Sequence, residues 1–220
     1  SLDICKNMLI SAKLNRVDDI TVYALDDESF DELSHFDCKV ERYQTNISEE
    51  YHSYGSSEFK SLMTVKLNII LKNISEGHND FVYMDSDVVF LKNPDEVLKH
   101  LIIVVEQDYN LNVVFASDAL TENKEDATLC AGFMWIKSND TTKKFIEKTL
   151  ELSSMSINDS NPDTCDQMIM RSIIASNQVE NFTHAILPLK FITNGHFYFS
   201  EGIRNDEFVV HCNFKVGTRD

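Results

Sequence analysis

Apolar residues recur at helical spacing from Leu2 to Val17, through Ile4, Cys5, Met8, Leu9, Ala12 and Leu14, and predict an opening helix. Ile20 to Leu25 reads as a strand. Asp26 and Asp27 stop it, as a turn and helix cap rather than as ligands, and a short helix follows over Glu28 to Leu33. Ser34 to Ser57 is polar and irregular, a mobile loop loosest at Gly55. Helical spacing returns from Phe59 to Ile74 and closes at Gly77. An apolar run then extends from Phe81 to Leu91, interrupted only at Asp85, Ser86 and Asp87. Lys92-Asn93-Pro94 turns the chain outward, with Pro94 suited to the first turn of a helix through Leu101.

Leu101 to Val105 and Leu111 to Ala116 read as strands, the second ending in Ser117-Asp118. Thr128 to Ile136 is another, with Ala131-Gly132 leaving no bulk in its middle, as where a ligand or a backbone comes close. Asn139 to Leu152 is an amphipathic helix. Asn161-Pro162-Asp163 starts one that carries Asp166 and Gln167 in its first turns. Ala185 to Thr193 reads as a strand ended by the turn pair Asn194-Gly195, and Phe208-Val209-Val210 runs into His211. Strands alternating with helices predict an α/β fold with a mainly parallel sheet and helices on both faces.

The acidic interruption carries the chemistry. An Asp-x-Asp is common in acidic chains as a solvated turn or cap. Here apolar runs flank it on both sides, so the strand ends at Met84 and both carboxylates stand at the carboxyl edge of a sheet, where open α/β sheets bind ligands. Two like charges held close at the mouth of a core call for a cation. Lys66 lies beside the apolar stripe of its helix, and reads equally as a solvated lysine or as an ammonium carried to that edge. A histidine after an apolar strand is usually structural; His211 becomes a candidate ligand because the chain already holds an acidic pair.

Composition narrows the partners. A formal net charge of −16 leaves no basic face for nucleic acid, whereas a divalent cation suits the acidity. With 220 residues, 43% of them hydrophobic, one domain over residues 1–220 is expected. No run approaches the roughly 20 apolar residues of a membrane span, and no charged-then-apolar leader opens the chain, so a soluble protein is expected, cytoplasmic or, as part of a longer chain, luminal. Five widely spaced cysteines without Cys-x-x-Cys read as free thiols.

In this order, Asp85-Ser86-Asp87, Ala131-Gly132-Phe133, Asp163-x-x-Asp166-Gln167 and His211 resemble retaining glycosyltransferases of the GT-A fold. The nearer resemblance is to the nucleotide-diphospho-sugar transferase family, distantly glycogenin-like, through Val22 to Asp26, Met84 to Val89, Asn194-Gly195 and Val210 to Asn213. It implies a GT-A fold and transfer from a nucleotide-diphosphate sugar, with UDP as the expected base and an unidentified acceptor. Asp85, Asp87 and His211 would hold manganese, with magnesium as the alternative. Lys66 and Ser86 would touch the donor, Ala131, Gly132 and Asp163 would line the sugar pocket, and Asp118 would hold a sugar hydroxyl. Asp166 and Gln167 would sit beside the anomeric carbon. Retention by a protein nucleophile and by attack on the leaving-group face are both compatible with these residues.

Three departures from the family are visible. The strand that usually precedes the first helix and helps hold the base is absent from these residues. Cys130 stands where a polar amide is usual, so a sugar contact is expected to be lost. The glycogenin-like His-x-x-Gly-x-x-Lys pattern is missing, with Lys215 as the nearest phosphate-binding substitute. Two other functions fit parts of the pattern. A haloacid-dehalogenase-type phosphatase shares the apolar-Asp-x-Asp motif but needs a later acidic pair, and a non-catalytic domain would bind metal or nucleotide without transfer.

Overall fold

A computed structural model describes residues 2–45, 47, 53–77, 79–93, 99, 101, 103, 110–121, 128–159, 161, 164–201 and 207–213. The elements are α1 (Leu2–Leu14), β1 (Thr21–Ala24), α2 (Asp27–Leu33), β2 (Lys39–Arg42), α3 (Ser57–Ser75), β3 (Phe81–Met84), β4 (Val88–Phe90), β5 (Val113–Ser117), β6 (Leu129–Ile136), α4 (Asp140–Met155), α5 (Asp166–Ala175), β7 (His184–Ile186), β8 (Ile192–Asn194), α6 (Gly195–Glu201) and β9 (Val209–His211). Three helix starts are capped by side chains: Asp26, Ser56 and Asn139 each accept a backbone N–H from the first turn that follows.

The α/β architecture agrees with the expectation, but the strand directions are mixed rather than mainly parallel. Parallel pairs are β1 with β2, β5 with β7 and β8 with β9; β3 and β5 both run antiparallel to β6, and β4 runs antiparallel to β9. The central sheet has the order β3-β6-β5-β7, and a second has the order β4-β9-β8. Two cores lie on opposite faces of the central sheet, because successive strand residues point to opposite sides. Val114 and Ala116 join Met8, Leu9 and Val209 in one; Val113 and Phe115 join Ile70, Phe145 and Met170 in the other.

Three expectations change. The polar stretch from residue 34 to 57 contains a strand, β2, held beside β1 by its backbone pairing and tied to α3 by the Glu41–Lys72 ion pair. Leu101 and Ile103 are helical, not part of a strand over 101–105; an apolar run this short fits a buried helix as well as a strand. The expected strand from Ala185 to Thr193 divides into β7 and β8, and Gly195 opens α6 instead of closing a turn.

The feature that builds the site is a break in β6. Phe115 pairs with Met134 while the next residue, Ala116, pairs with Cys130, so Ala131, Gly132 and Phe133 are extra residues on one side of the ladder. Such a bulge bends the strand and re-aims its residues. Gly132 turns its carbonyl to the backbone N–H of Asp85 at 2.8 Å, which carries pairing one step beyond the end of β3.

A cavity of about 700 Å³ lies between α1, α3 and the strands β1 and β3, and its lining includes Val22, Tyr23, Val82, Lys66 and Asp85. Among the described residues β1 pairs only with β2 and β3 only with β6. No helix of the described residues is long and apolar enough to cross a membrane.

Candidate metal and donor site

Two tight connections bring the acidic pair to the histidine. β3 ends at Met84, a turn carries Asp85 to Asp87, and β4 begins at Val88. Val88 is the register partner of His211, and the N–H of Cys212 donates to the carbonyl of Asp87 at 2.8 Å, so Asp87 and His211 are cross-strand neighbours. His211 Nε2 lies 3.2 Å from Asp87 Oδ1 and 3.8 Å from Asp85 Oδ2. The three residues offer ligand atoms within 4.8 Å of one another. Two carboxylates and an imidazole form a donor set that could hold a divalent metal ion. The space is kept by Gly132: a Cβ there would lie 2.1 Å from His211 Cε1 and 2.7 Å from Asp85 Oδ2.

Electrostatics keep the pair charged without an ion. Burial alone would lower the His211 pKa, but hydrogen bonding to Asp87 and Cys130 outweighs it and raises the value to about 11. Burial alone would raise the Asp87 carboxyl, and the same bond to His211 brings it below its ordinary value. Behind them, Tyr83 donates to Asp85 Oδ1 at 2.7 Å, and burial holds that phenol well above its usual range, hence a donor. Lys66 is buried, 3.0 Å from Asp166 Oδ2 and 3.8 Å from Asp85 Oδ1. Desolvation opposes its charge, but the two carboxylates prevail and its pKa is raised.

A second cluster adjoins the first. Gln167 accepts from the N–H of Ala131 at 2.9 Å and donates to Asp118 Oδ2 at 2.9 Å. Asn213 donates to Asp118 Oδ1 at 2.9 Å and accepts from the N–H of Gly195 at 3.0 Å. Burial raises the Asp118 pKa against the pull of Gln167, Arg171 and Asn213. Residues from β5, the β6 bulge, the first turn of α5 and the end of β9 thus meet beside the acidic pair.

Residues 15–220 match the description of nucleotide-diphospho-sugar transferases. The chain belongs to that family. It is 28% identical over 196 residues to the UDP-galactose:fucoside alpha-3-galactosyltransferase of Dictyostelium discoideum, covering 78% of this chain and 28% of that protein. The chain therefore spans under a third of the length of this relative. Two solved structures share its fold: mouse xyloside xylosyltransferase 1, with a TM-score of 0.54 and 11% identity over 96% of this chain and 92% of that one, and the galactosyltransferase LgtC, crystallised with donor and acceptor sugar analogs, with a TM-score of 0.56 and 11% identity over 96% and 82%. The nucleotide-diphospho-sugar transferase fold here is thus of the GT-A kind.

Within this family domain the structure places ten of the sequence-derived residues together: Lys66, Asp85, Ser86, Asp87, Asp118, Ala131, Gly132, Asp166, Gln167 and His211. Ser86 is exposed at the turn and lines the cavity. Asp166 is the first residue of α5, so it and Gln167 lie in the first turn as expected, and Asp166 is nearly fully buried. Asp163 and Lys215 lie outside the described residues. All five cysteines are free, as expected. Sequence reasoning missed Tyr83, Arg171 and Asn213. Arg171 lies 3.6 Å from Asp118 and donates to the carbonyl of Leu129 at 3.0 Å. It also missed Lys60, whose buried ammonium donates to the carbonyls of Asp159 and Asn161 and to the Thr164 hydroxyl, fastening the connection from α4 to α5. A lysine inside a helical apolar stripe was the available signal.

Proposed function

We propose that this domain transfers a sugar from a UDP-linked donor to an acceptor with retention at the anomeric carbon, and that manganese serves the reaction. The observation that carries the reading is the convergence of Asp85, Asp87 and His211 around the space left by Gly132, in a chain of the nucleotide-diphospho-sugar transferase family. The UDP-galactose in the name of the Dictyostelium relative supports the donor base. When bound, the ion supplies charge neutralisation for the diphosphate that leaves as the glycosidic bond breaks.

The chain's own residues supply the rest. Tyr83 and Lys66 hold Asp85 from behind, so its other oxygen stays turned toward His211. Lys66 lends positive charge on the donor side. Gln167 joins Asp118 to the Ala131 backbone and so shapes the sugar pocket, with Asp163 as a further contact. Asp166, paired to Lys66, contributes a negative field beside an oxocarbenium-like centre. Acceptance of the acceptor's proton by the departing phosphate is the proposed route. Lys215 is proposed to meet that phosphate. The acceptor is expected to approach over the loop at 34–57 or the segment at 197–206.

These residues are proposed to form a single domain over 1–220. The phosphatase alternative needs a second acidic partner, whereas the acidic pair here meets a histidine. Thermal-shift titration with manganese, then manganese with UDP, GDP or CDP, tests the reading, since a ligand of the folded state raises the midpoint. A metal-dependent shift with UDP supports it, together with slow hydrolysis of a UDP-sugar that Asp87→Ala abolishes. No shift with any nucleotide overturns it in favour of a non-catalytic domain.

A further inference from the structure

The ring of His211 has two nitrogens, and only one faces the acidic pair. Nε2 points to Asp87 and Asp85, at 3.2 and 3.8 Å. Nδ1 points inward to the sulfur of Cys130 at 3.4 Å. The side chain of His211 is 6% exposed, so an N–H at Nδ1 has little water to turn to and needs a protein acceptor. A histidine that ligates a metal through one nitrogen donates the proton on the other to a fixed group, which sets its tautomer and its angle.

Cys130 is well fixed for that part. It is 2% exposed and lies on β6 opposite Ala116, immediately before the bulge that carries Gly132 past His211. The amide of Asn213 stands 4.0 Å from the same sulfur, on the side of Asp118. The thiol that departs from the family's usual amide is therefore directed at the histidine, not only lost to the sugar pocket.

We infer that Cys130 is a positioning residue for His211: its sulfur accepts the hydrogen bond from Nδ1–H and so leaves Nε2 as the nitrogen that an ion held by Asp85 and Asp87 would deprotonate and bind. The inference rests on the metal reading for its consequence, but the contact itself is a property of the metal-free domain. The opposite arrangement, with the Cys130 S–H donating to Nδ1, would leave the proton on Nε2 and block ligation. If Cys130 merely filled space, any side chain of similar volume would serve.

The test uses the 220-residue chain with Cys130→Ala, Cys130→Val and Cys130→Ser. Val fills the volume without an acceptor, and Ser restores an acceptor. In metal-free protein labelled with ¹⁵N-histidine, the Nδ1–H resonance of His211 is expected to exchange slowly in the parent and in Ser, and at least about tenfold faster in Ala and Val. Manganese affinity, read from free Mn²⁺ by electron paramagnetic resonance, is expected to fall by about 10- to 100-fold in Ala and Val and to stay within about threefold in Ser. A slow Nδ1–H and unchanged manganese affinity in Val overturn the inference, as does an Nε2–H tautomer in the metal-loaded parent. If the parent takes up no manganese, the metal reading fails, and proton exchange alone decides the role of the thiol.

Discussion

Gly132→Ala puts the geometry of the site under the most direct strain. The added methyl would sit 2.1 Å from His211 Cε1, 2.6 Å from Nε2 and 2.7 Å from Asp85 Oδ2, and ordinary contact begins near 3.4 Å. The ring would have to retreat by roughly 1.3 Å, the difference between those distances, yet metal sites tolerate only about 0.2 Å in ligand distance. His211 cannot retreat freely, because β9 is paired with β4 on one side and β8 on the other. Rotating the side chain away instead removes one of three protein ligands. Either route is expected to lower manganese affinity by about 100-fold, equivalent to ~2.7 kcal/mol. Overpacking should cost about 1–3 kcal/mol of stability, offset by less than about 1 kcal/mol from the stiffer unfolded chain. For a chain of this size that is a fall of a few degrees in Tm.

Manganese titration by electron paramagnetic resonance and thermal melts with and without the ion read both effects. Gly77→Ala is the control: Gly77 has φ +71° and nothing within 4 Å, so alanine there costs about 1 kcal/mol in backbone strain and leaves the metal site alone. Binding by Gly132→Ala within twofold of the parent would refute the claim that this glycine makes room for the histidine. So would an equal loss of affinity in Gly77→Ala, because the effect would then be general destabilisation.

Other expected outcomes follow from the same contacts. Asp166→Asn leaves the Lys66 ammonium buried with Asp85 alone at 3.8 Å, and should cost about 3–5 kcal/mol in urea unfolding; a loss under about 1 kcal/mol would show that Lys66 is satisfied without it. Lys60→Met removes the buried ammonium shared by two carbonyls and a hydroxyl and should cost about 1–3 kcal/mol in the same assay, with no loss if water replaces the ammonium. His211 carries a proton below about pH 11, and a metal must displace it, so manganese affinity should rise about tenfold per pH unit from pH 6 to 9. A flat profile over that range would mean that His211 is not a ligand. The same proton stabilises the metal-free fold: its contribution is complete below the ordinary value of 6.5 and is lost as pH rises toward 11, so the metal-free midpoint should fall over that window.

The parts of the site that could be read from the chain are those whose chemistry conflicts with their surroundings. Asp85 and Asp87 interrupt an apolar run, and His211 ends another; each stands out because a buried polar group needs a reason. Gly132 was legible as a small residue within a strand, and the close approach there is of the His211 ring and the Asp85 carboxylate. The bulge was not legible, because it is a relation between β5 and β6 that neither strand encodes alone. Arg171 and Asn213 were hidden for a similar reason: their partners come from β5 and β6, distant in sequence. The strand β2 was lost in a polar stretch whose neighbours, not its periodicity, make it extended. Leu101 and Ile103 show the converse error, an apolar run assigned by composition to a strand where packing makes a helix.

The pairing of β4 with β9 also bears on when the site comes into being. It joins positions 85 and 87 to position 211, so a loop of more than half the chain must close before the third proposed ligand reaches the first two. Closing so long a loop is entropically slow and tends to occur late in folding. Ion uptake therefore reports a finished fold rather than a local motif. In a refolding experiment it should lag behind the gain of helical signal, and a truncation that stops short of Val209 should abolish it even where most of the core has formed.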